Sequence, residues 1–330
     1  MYVVTGGAGF VGSNLVGALN RRGITDILVV DNLETNSAKF RNLVGRAIAD
    51  YVDKRDFLGL LDTGRLGKLT AVLHQGACSD TMELDGRYMM ENNYAYSKAV
   101  FDYCQGARVP LLYASSAAVY GASQEFAERP ENEQPLNVYG YSKLLFDNYL
   151  RRHAGRLQAP VTGFRYFNVY GPGEAHKGRM ASVARQFFLQ YREEGCVRLF
   201  SGSGGYGDGE QRRDFVAVDD LTRAVLHFLD RPQGSGVFNL GSGEAASFNR
   251  VAQAVINACR DAAGEAPLDL PALVASGAVR YVDFPPGLAE RYQSYTQADL
   301  AGLRLAGYDG EFMPVERGVA DYVRSLLADS

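Results

Sequence analysis

Cysteine is scarce in this chain of 330 residues, and its four copies, Cys78, Cys104, Cys196 and Cys259, stand far apart. No pair has the short spacing of a zinc site or the density of a disulfide scaffold, so neither is expected. An excess of charge of one sign is missing too. The 34 basic and 38 acidic residues leave a net charge of -4, without the basic surface that a phosphate backbone demands. Nucleic acid is therefore not an expected partner. No apolar run reaches the roughly 20 residues that span a bilayer. Met1-Tyr2-Val3-Val4-Thr5 runs straight into glycine, without the basic and apolar stretches of a secretory leader. The expectation is a cytoplasmic protein with reduced thiols, no metal and no membrane partner.

What is present suits a folded globular chain: 46% hydrophobic and 22% charged residues. The length exceeds the common single-domain size, which predicts a larger domain with a smaller, interleaved one. Short apolar runs at 2–5, 27–30, 71–74, 111–115 and 161–167 alternate with helix-length segments. That alternation predicts an α/β fold, a doubly wound parallel sheet that holds ligands at the carboxyl ends of its strands. Beyond Asn168 the pattern loosens into a loop at 170–177, a helix at 181–194 and a glycine-dense stretch at 201–210. A strand and helix at 213–229 and a strand at 237–240 are read as returning to the first domain. The predicted division is 1–168 with 213–240 for the sheet domain, and 169–212 with 241–330 for a discontinuous, substrate-facing domain.

Gly6, Gly9 and Gly12 follow the first strand, and Gly7-Ala8-Gly9-Phe10-Val11-Gly12 also has G-x-G-x-x-G spacing. Such glycines permit a tight turn, let a pyrophosphate approach the backbone, and let the helix expected from about Ser13 pack on the sheet with its dipole toward the anion. Asp31, about twenty residues on, ends the next strand where an adenosine ribose is gripped. Dinucleotide binding follows. Which dinucleotide stays open, because Asp31 repels a ribose 2′-phosphate whereas Lys39 and Lys54 can neutralise one.

Tyr139 and Lys143 are four apart, on one face of a helix. A nearby ammonium favours phenolate and is expected to lower the tyrosine pKa, making Tyr139 an acid/base and leaving Lys143 able to bond the nicotinamide ribose. Tyr141 has Leu145 at the same offset and points to another face, so it is rejected. Ser116, with Ser115 close behind, ends the strand at 111–115, where a hydroxyl can steady a substrate oxygen. His74, His153, His176 and His227 are given no catalytic role.

Thr5-Gly6-Gly7-Ala8-Gly9-Phe10-Val11-Gly12, Ser115-Ser116-Ala117-Ala118-Val119-Tyr120-Gly121, Tyr139-Gly140-Tyr141-Ser142-Lys143 and Arg213-Asp214-Phe215-Val216 together resemble the extended short-chain dehydrogenase/reductase family over nearly the whole chain. Four further stretches are similar to the branch of that family that inverts carbon 6 of an ADP-linked heptose. They are Gln75-Gly76-Ala77-Cys78-Ser79, Phe164-Arg165-Tyr166-Phe167-Asn168-Val169-Tyr170-Gly171-Pro172, His176-Lys177-Gly178 with Met180-Ala181-Ser182, and Arg291-Tyr292-Gln293. The resemblance implies a Rossmann-like fold, an isomerase of lipopolysaccharide precursor synthesis, tightly held NADP, an ADP-heptose substrate and a homo-oligomer of five chains.

Carried over by motif, the resemblance assigns Phe10, Val11, Asp31, Asn32, Lys39, Lys54, Gln75, Gly76, Ala77, Cys78, Ser79, Asn92 and Lys143 to the cofactor. It assigns Asn168, Val169, Gly202, Ser203, Arg213 and Tyr292 to the sugar nucleotide, and it makes Lys177 a second proton handler beside Tyr139. From its sequence context alone Lys177 would be a solvated loop lysine.

The chain departs from the family pattern at Arg179, where serine is usual, at Gln186, where histidine is usual, and at Ser201, where a glutamate opens a shorter acidic loop. The glycines of 201–210 are as compatible with a mobile loop as with a binding one. Two enzymatic alternatives share these motifs. A dehydratase needs an acid/base pair beside the serine, where Ala117 and Ala118 stand, which argues against elimination. An epimerase at carbon 4 of a UDP-hexose stays open, as does a dinucleotide-binding sensor without catalysis.

Overall fold

The computed structural model describes residues 1–34, 36–231, 235–285 and 293–328. In chain order the strands are β1 (Tyr2–Thr5), β2 (Ile27–Asp31), β3 (Asp50–Asp53), β4 (Ala71–His74), β5 (Leu111–Ser116), β6 (Val161–Tyr166), β7 (Asn168–Tyr170), β8 (Val197–Phe200), β9 (Arg212–Ala217), β10 (Gly236–Leu240), β11 (Ala245–Ser247) and β12 (Val279–Val282). The chain divides into two compact units. One comprises Met1–Tyr166, Leu221–Leu240 and Asp299–Gly310, the other Phe167–Asp220, Gly241–Ala298 and Glu311–Ser330.

The first unit holds a seven-stranded sheet in the order β10-β6-β5-β4-β1-β2-β3, parallel throughout. Its inner strands are buried on both faces, which is why Val3, Val4, Ile27, Val29, Val72 and Leu73 are fully enclosed and the strands read as unbroken apolar runs. The strand order reverses between β1 and β4, so ligands are expected beyond the carboxyl ends of these two strands. Helices Phe10–Arg21, Tyr96–Ala107 and Val138–His153 cover the sheet. The last begins where Asn137 accepts the Gly140 amide through Oδ1 (2.8 Å), and its final turn gathers Arg151, Arg152 and His153 at the negative end of the dipole.

The second unit has its own core of Phe187, Val197, Leu199, Phe215, Val251, Val255, Val319 and neighbours. It contains the three-stranded sheet β11-β9-β7 and the parallel pair β12-β8. Among the described residues no helix is long and apolar enough to cross a membrane, and no group of His, Cys, Asp and Glu could hold a metal ion.

Several boundaries differ from those expected. The apolar run 161–167 breaks after Tyr166: residues from Asn168 form β7, which pairs with β9 in the second unit. The stretch 213–229 therefore does not return whole to the first unit. Residues 213–220 stay with the second, because β9 pairs with β7 and β11, and only from Leu221 does helix Val218–Asp230 belong to the first. Residues 299–310, expected in the smaller domain, belong to the first unit, where helix Ala301–Leu305 packs on β10 and the Asp299 carbonyl accepts from Asn239 Nδ2 (3.0 Å). The first helix starts at Phe10 rather than near Ser13, since Gly9 is already its extended N-cap.

Candidate active site

At the carboxyl end of β1, Gly6 adopts φ +66, and any Cβ there would meet the backbone of Gly76 at 2.7 Å. A Cβ on Gly12 would collide with the Gly6 carbonyl. Gly9 offers no side-chain oxygen to cap helix Phe10–Arg21. The turn is tied to β2 by the Ala8 amide, which donates to Asp31 Oδ2 (2.8 Å). Asp31 Oδ1 accepts from Lys39 Nζ (2.6 Å) and from the Asn32 amide (2.7 Å). Lys54 Nζ donates to Asn92 Oδ1 (2.6 Å), and burial together with Lys39 pushes the Lys54 ammonium below its ordinary pKa. A turn in which side chains would collide, beside an uncapped helix start and two lysines, fits a dinucleotide. Gln75 supports that fit: its Oε1 accepts from Tyr166, while its buried Nε2 has no partner among the described residues.

The two serines at the end of β5 face different groups. Ser115 Oγ donates to Asp147 Oδ2 (2.9 Å), whereas Ser116 Oγ caps Ala118 (3.1 Å) and hydrogen-bonds the Tyr139 hydroxyl. Lys143, buried on the same helix, donates to the Ala114 carbonyl (2.9 Å). Burial pushes its ammonium down to about 8, with Asp147 and Cys78 opposing. The expected lowering of Tyr139 is not found. Burial of the phenol raises its pKa, Ser116 opposes this and Cys78 adds to it. The reason is geometric, since the ammonium is turned to a backbone carbonyl. Tyr141, on another face of the helix, is 49% exposed.

Behind this group the helical ladder widens to a π-turn at Met90–Ala95, which presents Asn92 and Asn93 together. Asn93 Oδ1 accepts the Cys78 amide (2.8 Å), and its Nδ2 donates to the Cys78 carbonyl (2.9 Å) and to Ser142 Oγ (3.1 Å). The segment Gln75 to Ser79 is thereby anchored. His74, fully buried, bonds Thr5 Oγ1 (2.6 Å) and Ser97 Oγ (2.9 Å), and burial lowers its pKa to about 3. Cys78 and the other three cysteines are free thiols.

The remaining sequence-derived positions lie in the second unit. Asn168 is exposed and Val169 half-buried on β7. Arg213, nearly buried, donates to the Arg212 carbonyl (2.9 Å) and lies over the Phe248 ring at 5.6 Å. Gly202 and Ser203 open a glycine-rich loop that is well tied. The Gly202 amide donates to Asp208 Oδ1 (2.8 Å), and Gln211 Nε2 to the Ser201 carbonyl and to Ser203 Oγ. Asn249 Nδ2 holds both the Asp208 carbonyl (2.8 Å) and Glu210 Oε1 (2.6 Å). Lys177 is half-buried in a 3-10 turn at Ala175–Met180, and burial lowers its pKa while Glu174 opposes. Arg179 is exposed, and Gln186 donates to the Gly178 carbonyl (2.9 Å). Tyr292 lies outside the described residues.

The model of the NAD dependent epimerase/dehydratase family matches residues 2–241. The chain belongs to this family. A relative named ADP-L-glycero-D-manno-heptose-6-epimerase, from Thiobacillus denitrificans, is 57% identical over 326 residues, which is 98% of each chain. The crystal structure of the Helicobacter pylori enzyme of the same name is 30% identical and superposes with a TM-score of 0.83, covering 99% of this chain and 96% of that one. A Thermus thermophilus UDP-glucose 4-epimerase, solved with NAD, is 29% identical with a TM-score of 0.74, covering 98% of both.

Within this epimerase/dehydratase framework the structure adds residues that the motifs left out. Asp147 accepts from Tyr113, Ser115 and Arg165 at 2.9, 2.9 and 3.0 Å, and Arg165, fully buried, also pairs with Glu133. Asp147 was within reach of sequence reading, because it continues the Tyr139, Lys143 stripe by one more helical turn. Asn93 and Glu174 had no such signal, since their partners are distant in sequence or backbone groups of a loop.

Proposed function

We propose that this chain is an isomerase that inverts carbon 6 of an ADP-linked heptose, interconverting ADP-D-glycero-D-manno-heptose and ADP-L-glycero-D-manno-heptose with bound NADP. The observation that carries the reading is the grouping of Ser116, Tyr139 and Lys143 beyond β5, in the unit that also carries the glycine turn. The 57% identity to a relative of that name, over 98% of both chains, supports the choice of substrate.

When bound, the nicotinamide supplies the acceptor and then the donor of the hydride at carbon 6. Tyr139 in its phenolate form takes the hydroxyl proton, becoming the phenol, and loses that proton to solvent before the next turnover. Ser116 steadies the same oxygen, while the Lys143 ammonium, which bonds the Ala114 carbonyl in this structure, has to turn toward the phenol or the cofactor ribose to act on either. Inversion needs the intermediate carbonyl to be met in two orientations, and Lys177 is the proton handler for the second. Asp31, Asn32, Lys39, Lys54, Asn92 and the Gln75–Ser79 segment (Gln75, Gly76, Ala77, Cys78, Ser79) hold the dinucleotide. Asn168, Val169, Gly202, Ser203, Arg213 and Tyr292 hold the sugar nucleotide. NADP is favoured over NAD because Lys39 already neutralises Asp31 and raises the cost of a charged Lys54, a repulsion that a ribose phosphate would relieve. The same reading gives a cytoplasmic homo-oligomer, a pentamer, in lipopolysaccharide precursor synthesis.

The test is incubation of the purified protein with ADP-D-glycero-D-manno-heptose, without added cofactor, with the two C6 epimers followed by chromatography. Interconversion without net reduction is expected, together with NADP released on denaturation. No conversion, even with NADP or NAD supplied, overturns the reading and turns attention to UDP-hexoses.

A further inference from the structure

The carboxylate that opens the Lys177 loop has no part in the chemistry described so far. Glu174 is 0% exposed. One of its oxygens accepts the Ser182 amide (2.5 Å) and the other the Ser182 hydroxyl (2.6 Å), while the Tyr322 hydroxyl of helix Val315–Ala328 bonds the same carboxylate. Ser182 is in turn the N-cap of helix Val183–Glu194, its Oγ accepting the Arg185 amide (3.3 Å).

The backbone closes inside this clasp. The Glu174 carbonyl accepts the Lys177 amide (2.9 Å). The Gly178 carbonyl accepts the Ala181 amide (3.1 Å) and Gln186 Nε2 (2.9 Å), and Gly178 itself turns at φ 53. One side chain therefore joins the two ends of segment 174–182, with Lys177 held between them.

A loop could be closed by neutral groups; here a carboxylate is buried instead, its desolvation offset by the bonds from Ser182 and Tyr322. The charge of Glu174 reaches Lys177, where it opposes the lowering caused by burial. Among the described residues, the titratable groups on which this carboxylate acts include Lys177 on its own loop and Tyr322 on helix Val315–Ala328. Arg185 on helix Val183–Glu194 acts on Tyr322.

We propose that Glu174 is a positioning residue that fixes the backbone carrying Lys177 and places a negative charge near that side chain. The proposal rests on the reading of Lys177 as the second proton handler. A group in that role gives up a proton and regains it within each cycle, so its location and its proton affinity both set the rate. The hydrogen bonds at Ser182, Gln186 and the Lys177 amide hold the backbone that carries the side chain, and the carboxylate charge bears on its proton affinity.

The experiment titrates Lys177 directly in the full-length protein. Acetylation by acetic anhydride is measured against pH and read at Lys177 by peptide mass spectrometry, in the wild type, Glu174→Gln and Glu174→Asp, beside epimerisation rates. For Glu174→Gln the labelling midpoint moves to lower pH, and kcat falls about ten- to a hundredfold with KM changed less than about threefold. Glu174→Asp keeps the charge but shortens the reach, so its midpoint stays near that of the wild type while kcat still falls. Should Glu174→Gln not fold, Glu174→Asp decides, and wild-type kcat in that variant overturns the proposal. A Lys177→Met control separates the two readings. Full activity in it removes the catalytic role of Lys177. An inactive control beside a Glu174→Gln enzyme with wild-type midpoint and rate removes only the role of Glu174.

Discussion

Lys143 carries its positive charge under opposing influences, and this makes it the residue whose titration should be visible in turnover. Burial pushes it down to about 8, and the charge of Asp147, one helical turn further on, holds it up. If the ammonium form is required, kcat falls as pH rises through about 8, far below the range of a solvated lysine near 10.4. In Asp147→Asn that alkaline limb moves to still lower pH, because the supporting charge is gone. The same change leaves the buried Arg165 with Glu133 as its remaining anionic partner and destabilises the fold by about 3–5 kcal/mol. A pH-rate profile with thermal unfolding checks both, and an unshifted limb would count against the Asp147–Lys143 coupling. At this scale the sequence was informative wherever a pattern is local. Tyr139, Lys143 and even Asp147 lie on one stripe, while the direction of the Tyr139 shift depends on burial and on the ammonium bonding Ala114, which spacing does not encode. For the same reason the sequence prefers Ser116 to Ser115 only narrowly, whereas the structure separates them, Ser115 bonding Asp147 and Ser116 bonding Tyr139.

Elements were legible to different degrees. The inner strands β1, β2, β4, β5 and β6 are apolar runs and read directly. β3 (Asp-Tyr-Val-Asp) is a polar edge strand, and β8, β11 and β12 are short pieces whose pairing is settled by tertiary contacts, so their sequences carry little signal. The turn from β1 into helix Phe10–Arg21 is the clearest case of the opposite kind, since a steric requirement is written in glycine. Gly12 has no room for a methyl group, because the Gly6 carbonyl occupies that place. Gly12→Ala must push helix and turn apart, which displaces the Ala8 amide from Asp31 and opens the pyrophosphate cradle. Dinucleotide affinity, measured by calorimetry, is expected to fall at least about tenfold, and the fold to lose on the order of 1–3 kcal/mol. Affinity equal to that of the wild type would mean that the turn does not carry the phosphates.

For the whole molecule, length and the loosening of the alternation beyond Asn168 predict two interleaved parts, and the contacts divide the chain at other seams. A strand's partner is chosen by the sheet that it completes, so β9 stays with β7 and β11 although the helix after it rejoins the first unit. The global stability of the chain should also bear the mark of one buried group. His74 sits between Thr5 and Ser97 and links β1, β4 and helix Tyr96–Ala107 in its neutral form. Its folded pKa is near 3, whereas the unfolded imidazole titrates near 6.5. Between these values the unfolded chain binds a proton that the folded chain refuses, so stability is complete above about 6.5 and is lost as pH falls toward 3. By pH 4 the loss from this group alone is on the order of 3 kcal/mol. Urea unfolding at pH 7 and pH 4 should therefore show a smaller pH dependence in His74→Gln than in the wild type. The variant also loses stability at pH 7, but carboxylates elsewhere act equally on both proteins, so the difference between the two slopes isolates the histidine. Identical slopes would show that the imidazole is protonated within the fold, and that the Thr5–His74–Ser97 chain adapts to its charge rather than excluding it.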